Sequence, residues 1–181
     1  MDIRPITTAE EESYRFVENL LTEAFPAHER RDLSQQRFHT DCHPLFKCHV
    51  IEEAGIPIGL LTFWDFAEFG YIEHFAIKSE LRNHRYGERA LKLLQWRIKK
   101  PIVVEVEHPD DETAERRIRF YERAGFRLCP FDYSQPPYRE GDAPYPMRLM
   151  EYGDIAMETR YEAIKKRLYK EVYYVEIPPQ E

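Results

Sequence analysis

The chain has 181 residues, 43% of them apolar and 33% charged, and carries a formal net charge of −7. That composition describes one globular domain with a full hydrophobic core and excludes a disordered chain. The acidic balance argues against a general nucleic-acid binder, whose affinity rests on neutralising phosphates, and no apolar run approaches the roughly 18 residues of a membrane span. Neither nucleic acid nor membrane is therefore expected as a partner. Cys42, Cys48 and Cys129 are too few and too odd in number for a disulfide framework, and MDIRPITTAEEE lacks the basic and apolar regions of a secretion signal. A cytoplasmic location is the expectation.

In chain order, Ile3 to Ile6 reads as a short strand. Thr8 is a candidate cap for a helix with the stripe Phe16, Val17, Leu20, Leu21 and Ala24. Pro26 ends it, and PAHERRDLSQQRF reads as a second helix with proline in its first turn. CHVIEEAGIPIGLLTFWDF forms a hairpin about Ala54-Gly55, followed by the strand YIEHFAI, Tyr71 to Ile77. In LRNHRYGERALKLL an arginine-rich turn with one glycine, Gly87, opens a helix with Ala90, Leu91, Leu94 and Ile98 in register, stopped by Pro101. IVVEVE is a strand. Asp110 or Asp111 then begins a helix with Ala114, Ile118, Tyr121 and Ala124 on one face and Gly125 as its stop. FRLCPFDY and MRLMEY are strands joined by the long loop SQPPYREGDAPYP, a length that usually signals function. A last helix aligns Met157, Tyr161, Ile164, Leu168 and Val172 and gives way to IPPQE. The fold class is α+β, a mixed α/β arrangement with helices interleaved between strands.

Charge is concentrated in one place. Arg82, Arg85, Arg89, Lys92, Arg97, Lys99 and Lys100 are opposed in their segment only by Glu88, which points to a small anionic ligand. A helix start offers unpaired N–H groups and the positive end of a dipole, and the N–H groups from Asn83 to Glu88 can line a pyrophosphate. A Cβ at Gly87 would obstruct its close approach. The same residues also fit a solvated basic helix start.

The frame Arg82-Asn83-His84-Arg85-Tyr86-Gly87, followed by Phe120-Tyr121-Glu122-Arg123-Ala124-Gly125-Phe126, resembles the GNAT superfamily of N-acetyltransferases. The resemblance runs from Ile3 to about Tyr152. It departs from the family at Arg85, where a glycine is usual; an arginine there requires a negative φ or a re-shaped loop. The resemblance implies a central, mostly antiparallel sheet splayed between the fourth and fifth strands and flanked by helices. It also implies an acetyltransferase domain over 1–152. Residues 153–181 would then be a C-terminal helical extension packed on the domain or on a partner subunit. Acetyl-CoA would be the acyl donor, with no metal. Coenzyme A would lie along Phe75, Ala76 and Ile77, whose strand N–H groups suit an oxyanion, and against Arg82, Asn83, His84, Arg85, Tyr86, Gly87 and Glu88. Tyr121 is the implied proton donor to the thiolate, although its place on an apolar stripe equally suits packing. The acceptor would be a small-molecule amine or a peptide amine, with Glu29, Gln135 and Tyr138 as candidate contacts, in a monomer or homodimer.

For the base that neutralises the amine, strand alternation puts Tyr71, Glu73, Phe75 and Ile77 on one face and Ile72, His74 and Ala76 on the other. A carboxylate at Glu73 inside an apolar strand is either functional, its pKa raised by burial, or solvent-facing, or paired with an arginine. Cys42-His43 and Cys48-His49 mimic a metal set, but alternation separates Cys48 from His49 and no zinc site is expected. Cys129 is read as core. The function expected is acetyl-CoA-dependent N-acetyl transfer to a primary amine by direct attack in a ternary complex. A non-catalytic acyl-CoA-binding sensor is the alternative, and RNA binding through the basic helix a weaker one.

Overall fold

The computed structural model describes residues 1–176. The terminal IPPQE, and with it the end of the extension expected over 153–181, lies outside the described residues. The chain divides into two compact units, Met1–Val104 and a second beginning at Glu105.

The first unit holds β1 (Asp2–Pro5), α1 (Glu11–Ala24), a 3₁₀ turn at Ala27–Glu29, α2 (Leu33–Cys42), β2 (Phe46–Glu53), β3 (Ile56–Asp65), β4 (Gly70–Ile77), a second 3₁₀ turn at Ser79–Leu81, α3 (Tyr86–Ile98) and the start of β5 (Ile102–Glu107). Strands β1 to β4 form an antiparallel meander, and β4 pairs in parallel with β5. Ala54 and Gly55 both take positive φ, 51° and 79°, the backbone a tight hairpin needs between right-twisted strands. Seven consecutive residues of β3, Ile58 to Trp64, are buried, so both of its faces are covered. Helix α1 turns Tyr14, Val17, Leu20 and Leu21 inward against β2, β3 and β4. Each such side chain contributes about 1.5–3 kcal/mol relative to exposure. The fold is mixed α/β, mostly antiparallel, with one parallel pair.

The ladder between β4 and β5 is short. It runs from Gly70↔Ile102 to Ile72↔Val104, whereas β4 continues to Ile77 with its register partners on β3. The other edge of β4 thus leaves the ladder with β5 after Ile72.

The second unit holds α4 (Glu112–Arg123), β6 (Arg127–Leu128), β7 (Tyr133–Gln135), β8 (Tyr145–Tyr152) and α5 (Met157–Val172). Strand β8 pairs antiparallel with both β6 and β7. Asp111 caps α4 by accepting the Ala114 N–H at 2.8 Å. Met157, Tyr161, Ile164, Leu168 and Val172 are the buried side of α5, the stripe its periodicity predicts. Among the described residues no helix is long and apolar enough to cross a membrane.

Three local expectations are corrected. Thr8 does not cap α1; its N–H and hydroxyl both donate to the Asp41 carboxylate. The helix expected from Pro26 is broken, because Arg30 and Asp32 are extended between the 3₁₀ turn and α2. The long loop is shorter than it reads, since Tyr133, Ser134 and Gln135 pair with Met147, Pro146 and Tyr145.

Candidate functional site

The basic turn after β4 has an unusual backbone. Asn83 and Arg85 both sit in the left-handed region, at φ 68° and 59°. Asparagine tolerates this conformation, but for arginine it costs about 1–2 kcal/mol. The sequence argument allowed Arg85 only a negative φ or a re-shaped loop; instead the arginine adopts the conformation a glycine would supply. Arg85 then opens α3 without a side-chain cap, and the first helical bond runs from the Arg89 N–H to its carbonyl. The main-chain N–H groups from Asn83 to Gly87 donate to no other described residue. Arg82, Asn83, His84 and Arg85 are exposed, and Tyr86, Gly87 and Glu88 are half-buried. Among the described residues Arg82 and Arg85 form no ion pair, whereas Arg89 is engaged by Glu53 at 2.9 Å. Donors and positive charge therefore converge on one exposed helix start, an arrangement suited to phosphate oxygens.

On β4, Phe75, Ala76 and Ile77 face Leu61, Leu60 and Gly59 of β3 and lie beyond the last pair with β5. Just before them the register slips. Thr62 pairs with His74 and Phe63 with Ile72, so Glu73 is the extra residue of a β-bulge. The bulge cancels the expected alternation: His74 Nδ1 lies 3.8 Å from Glu73 Oε2, so the two neighbours share a side. The Glu73 side chain has no exposure, yet the residue as a whole is half-buried, so its main chain is what reaches solvent.

That carboxylate is held from several directions. Arg31 donates to both oxygens, at 2.9 and 2.5 Å, and Trp64 Nε1 donates at 3.2 Å. Arg31 is itself buried, accepted by Gln36 Oε1 at 3.2 Å and stacked over the rings of Phe46 and Trp64 at 5.4 and 5.6 Å. Burial is the largest influence and pushes the Glu73 pKa up, but Arg31 together with the other groups around the carboxylate, Trp64 among them, outweighs it and holds the carboxyl below the usual range. The reason for expecting a base here, a pKa raised by burial, is thereby removed. His74 is also buried, and burial pushes its pKa down. Its Nε2 donates to the Glu29 carbonyl at 3.0 Å and its Nδ1 lies 3.0 Å from the Thr62 hydroxyl, contacts that the neutral ring favoured by burial satisfies.

In the second unit Tyr121 is 5% exposed, and burial pushes its phenol above the ordinary range. Its carbonyl accepts the Phe126 N–H at 3.0 Å, the Gly125 N–H reaches the Glu122 carbonyl at 2.9 Å, and Gly125 has φ 89°. This is a Schellman stop, and the Tyr121 and Phe126 rings meet at 5.3 Å as that motif favours. The spacing of Tyr121 to Gly-Phe thus has a structural reason of its own. Gln135 is buried on β7 opposite Tyr145. Tyr138 is half-buried, with its ring 5.1 Å from that of Tyr173. Glu29, in the first unit, offers its carbonyl to His74, and its carboxylate lies 3.6 Å from His28.

Trp64, Glu105, Tyr133 and Tyr173 carry no motif that marks them in the sequence, and nothing in the sequence joins Arg31 to Glu73. Glu105 accepts hydrogen bonds from the phenols of both Tyr133 and Tyr173, the latter at 2.7 Å. Its one sequence signal is a charge alternating with valines in IVVEVE. Among the described residues no group of three or more His, Cys, Asp or Glu side chains could hold a metal ion.

The profile of the Acetyltransferase (GNAT) family matches residues 14–126. The chain belongs to the GNAT family of acetyltransferases. Among solved structures, this GNAT chain is 47% identical to a GNAT-family acetyltransferase from Bacteroides thetaiotaomicron, over 97% of this chain and all of that one, at a TM-score of 0.95. Two more distant structures share the fold. An aminoglycoside 6′-N-acetyltransferase complexed with coenzyme A is 15% identical over 83% of this chain and 96% of its own, at a TM-score of 0.61. A Bacillus subtilis acetyltransferase in complex with CoA is 14% identical over 84% of this chain and 98% of its own, at a TM-score of 0.56. No protein of curated function matches the sequence.

Proposed function

We propose that this GNAT-family protein is an N-acetyltransferase that takes its acetyl group from acetyl-CoA and passes it directly to a primary amine in a ternary complex. The observation that carries this reading is the α3 start, where N–H groups from Asn83 to Gly87 and the unpaired Arg82 and Arg85 meet. That set fits a pyrophosphate, and the coenzyme A bound to two structural relatives accords with it. The pantetheine arm would follow Phe75, Ala76 and Ile77, beyond the last β4–β5 pair.

The acceptor arrives as an ammonium ion and must lose one proton before its nitrogen can attack the thioester carbon. As the C–N bond forms, the carbonyl oxygen gains negative charge, which a main-chain N–H of β4 stabilises. The C–S bond then breaks and the nitrogen gives up a second proton. Of the two protons released, one goes to solvent; the departing sulfur takes up the equivalent of the other, delivered from Tyr121, which its burial keeps protonated. In this scheme Glu73 stays an anion beside Arg31 and shapes the bulge. We further propose that residues 1–152 act as the catalytic domain, that 153–181 extend it, and that the protein works in the cytoplasm, in keeping with its free cysteines.

The test is thiol release from acetyl-CoA across a panel of amines, alongside titration with coenzyme A. Turnover that saturates in both substrates supports the enzyme. Tight binding of coenzyme A with no release above background for any amine makes the protein a sensor. Tyr121→Phe is expected to lower turnover about a hundredfold while leaving coenzyme A affinity unchanged.

A further inference from the structure

The bulge in β4 is held by side chains that all belong to the first unit. Glu73 is its extra residue, and Arg31 grips the Glu73 carboxylate with both arms of the guanidinium while Trp64 Nε1 donates to the same group. A bidentate fork fixes direction as well as distance, which a point charge does not. Arg31 is oriented in turn by Gln36 Oε1 of α2, at 3.2 Å. The next residue of β4 is tied to the same stretch of chain. His74 Nε2 donates to the Glu29 carbonyl, and the His74 main-chain N–H donates to the Thr62 hydroxyl at 3.0 Å. The stretch from Glu29 to Arg31 therefore grips two successive residues of β4.

What the bulge changes is the direction of the backbone donors. The Gly70 N–H donates to the Pro101 carbonyl at 2.8 Å, on the β5 side, whereas the Lys78 N–H donates to the Ile58 carbonyl of β3 at 2.9 Å. Both positions are even, and on an unbroken strand their N–H groups would point the same way. The extra residue at Glu73 reverses the order. From His74 onward the register is continuous, so the N–H groups of Phe75 and Ile77 are turned toward the edge that β5 leaves after Ile72. Without the bulge they would point into β3. We infer that Arg31, acting through Glu73, is a positioning residue of the reaction: it fixes the bulge and so aims the N–H edge of β4 at the thioester carbonyl. Being 2% exposed, Arg31 works through Glu73 and not by contact with substrate. This role rests on the acetyltransferase reading and adds to it the group that sets the oxyanion donor. The enclosed Glu73 side chain then serves the site through the shape it gives its own main chain.

Two measurements on the full-length protein decide the matter. The first is the infrared difference spectrum of bound acetyl-CoA with an isotope-labelled thioester carbonyl, which needs no turnover. A hydrogen bond from β4 lowers that carbonyl stretch relative to free acetyl-CoA. The second is thiol release with the fastest amine of the panel. The informative variant is Arg31→Met combined with Glu73→Leu, which removes the pair without stranding a charge. It is expected to fold and to keep its acetyl-CoA affinity, but to lose the carbonyl shift and to lower kcat about tenfold to hundredfold. Arg31→Lys keeps the charge without the fork and should lower kcat about threefold to tenfold. Should the double variant not fold, Arg31→Lys carries the same readouts. A folded variant that keeps either the shift or its kcat would overturn the inference. So would one whose acetyl-CoA affinity falls in step with its rate, or a wild type that shows no carbonyl shift. A shift present in the wild type and lost in the double variant, with no thiol release from either, would uphold the inference and sink the enzymatic reading alone.

Discussion

Two glutamates on successive strands live by different physics. The Glu73 side chain on β4 is wholly enclosed, and its charge is answered by the buried guanidinium of Arg31. Glu105 on β5 is half-exposed and oriented by the hydroxyls of Tyr133 and Tyr173. A carboxylate buried against a cation is stabilised as an anion and has little to offer a substrate. One oriented by phenols at the edge of solvent is positioned by hydrogen bonds from distant elements.

The comparison can be broken most directly at Arg31. Arg31→Met leaves Glu73 as an uncompensated buried charge and is expected to cost about 3–5 kcal/mol in denaturant unfolding. The double variant Arg31→Met with Glu73→Leu should recover most of that loss, because two apolar side chains need no charge partner. If the single variant unfolds like wild type, Arg31 does not hold the Glu73 charge in the folded protein.

Acid sharpens the same contrast. His39 and His74 are buried and His49 half-buried, and their folded pKa values are lowered, His49 to about 4. A lowered folded pKa gives stability that is complete above the unfolded value near 6.5 and is lost as the pH falls through the folded one. Glu73, also lowered, adds a loss below its ordinary value of 4.5. The melting temperature should hold above neutrality and decline from about pH 6.5 toward 4. His49 accounts for about 3 kcal/mol of that decline. His49→Gln should flatten the slope; an unchanged slope would show that this half-buried ring, whose Nδ1 has no hydrogen-bond partner among the described residues, is not the titrating group.

The half-exposed carboxylate should behave more gently. Glu105→Gln keeps an acceptor for one phenol and is expected to cost about 1 kcal/mol of folding stability, the scale of one hydrogen bond. A loss as large as that of Arg31→Met would make Glu105 a structural anchor like Glu73. The smallest effect belongs to the fully exposed end of the scale. Arg85→Gly relieves about 1–2 kcal/mol of left-handed strain and returns about 0.5–1 kcal/mol in chain entropy, for a net gain of at most about 1.5 kcal/mol. The same variant should weaken coenzyme A binding, measured by titration, since a guanidinium is lost.

Much of the architecture was legible because it depends on neighbours in the chain. The buried stripes of α4 and α5, the Ala54-Gly55 hairpin, the Asp111 cap and the Gly125 stop are all periodicities or local turn chemistry. The arginine-rich start of α3 was legible as well, since charge and helix periodicity lie within a single segment. What failed required partners far away in sequence. Arg31 and Glu73 are 42 residues apart, and Tyr173 and Glu105 are 68 apart. The bulge at Glu73 defeated an argument built on strict alternation, because one extra residue moves its neighbour to the same side.

The sequence by itself determined where most of the helices and strands form, where the Ala54-Gly55 hairpin turns, and that its positive charge gathers at the start of α3. It could do so because propensity, capping and periodicity act over a few residues. Only the tertiary structure decided that Glu73 is held by Arg31 and that Glu105 accepts hydrogen bonds from Tyr133 and Tyr173. It also decided that Arg85 would bear the backbone strain. Those outcomes depend on burial and on which distant groups come within hydrogen-bonding reach, and neither is a property of any short stretch of chain.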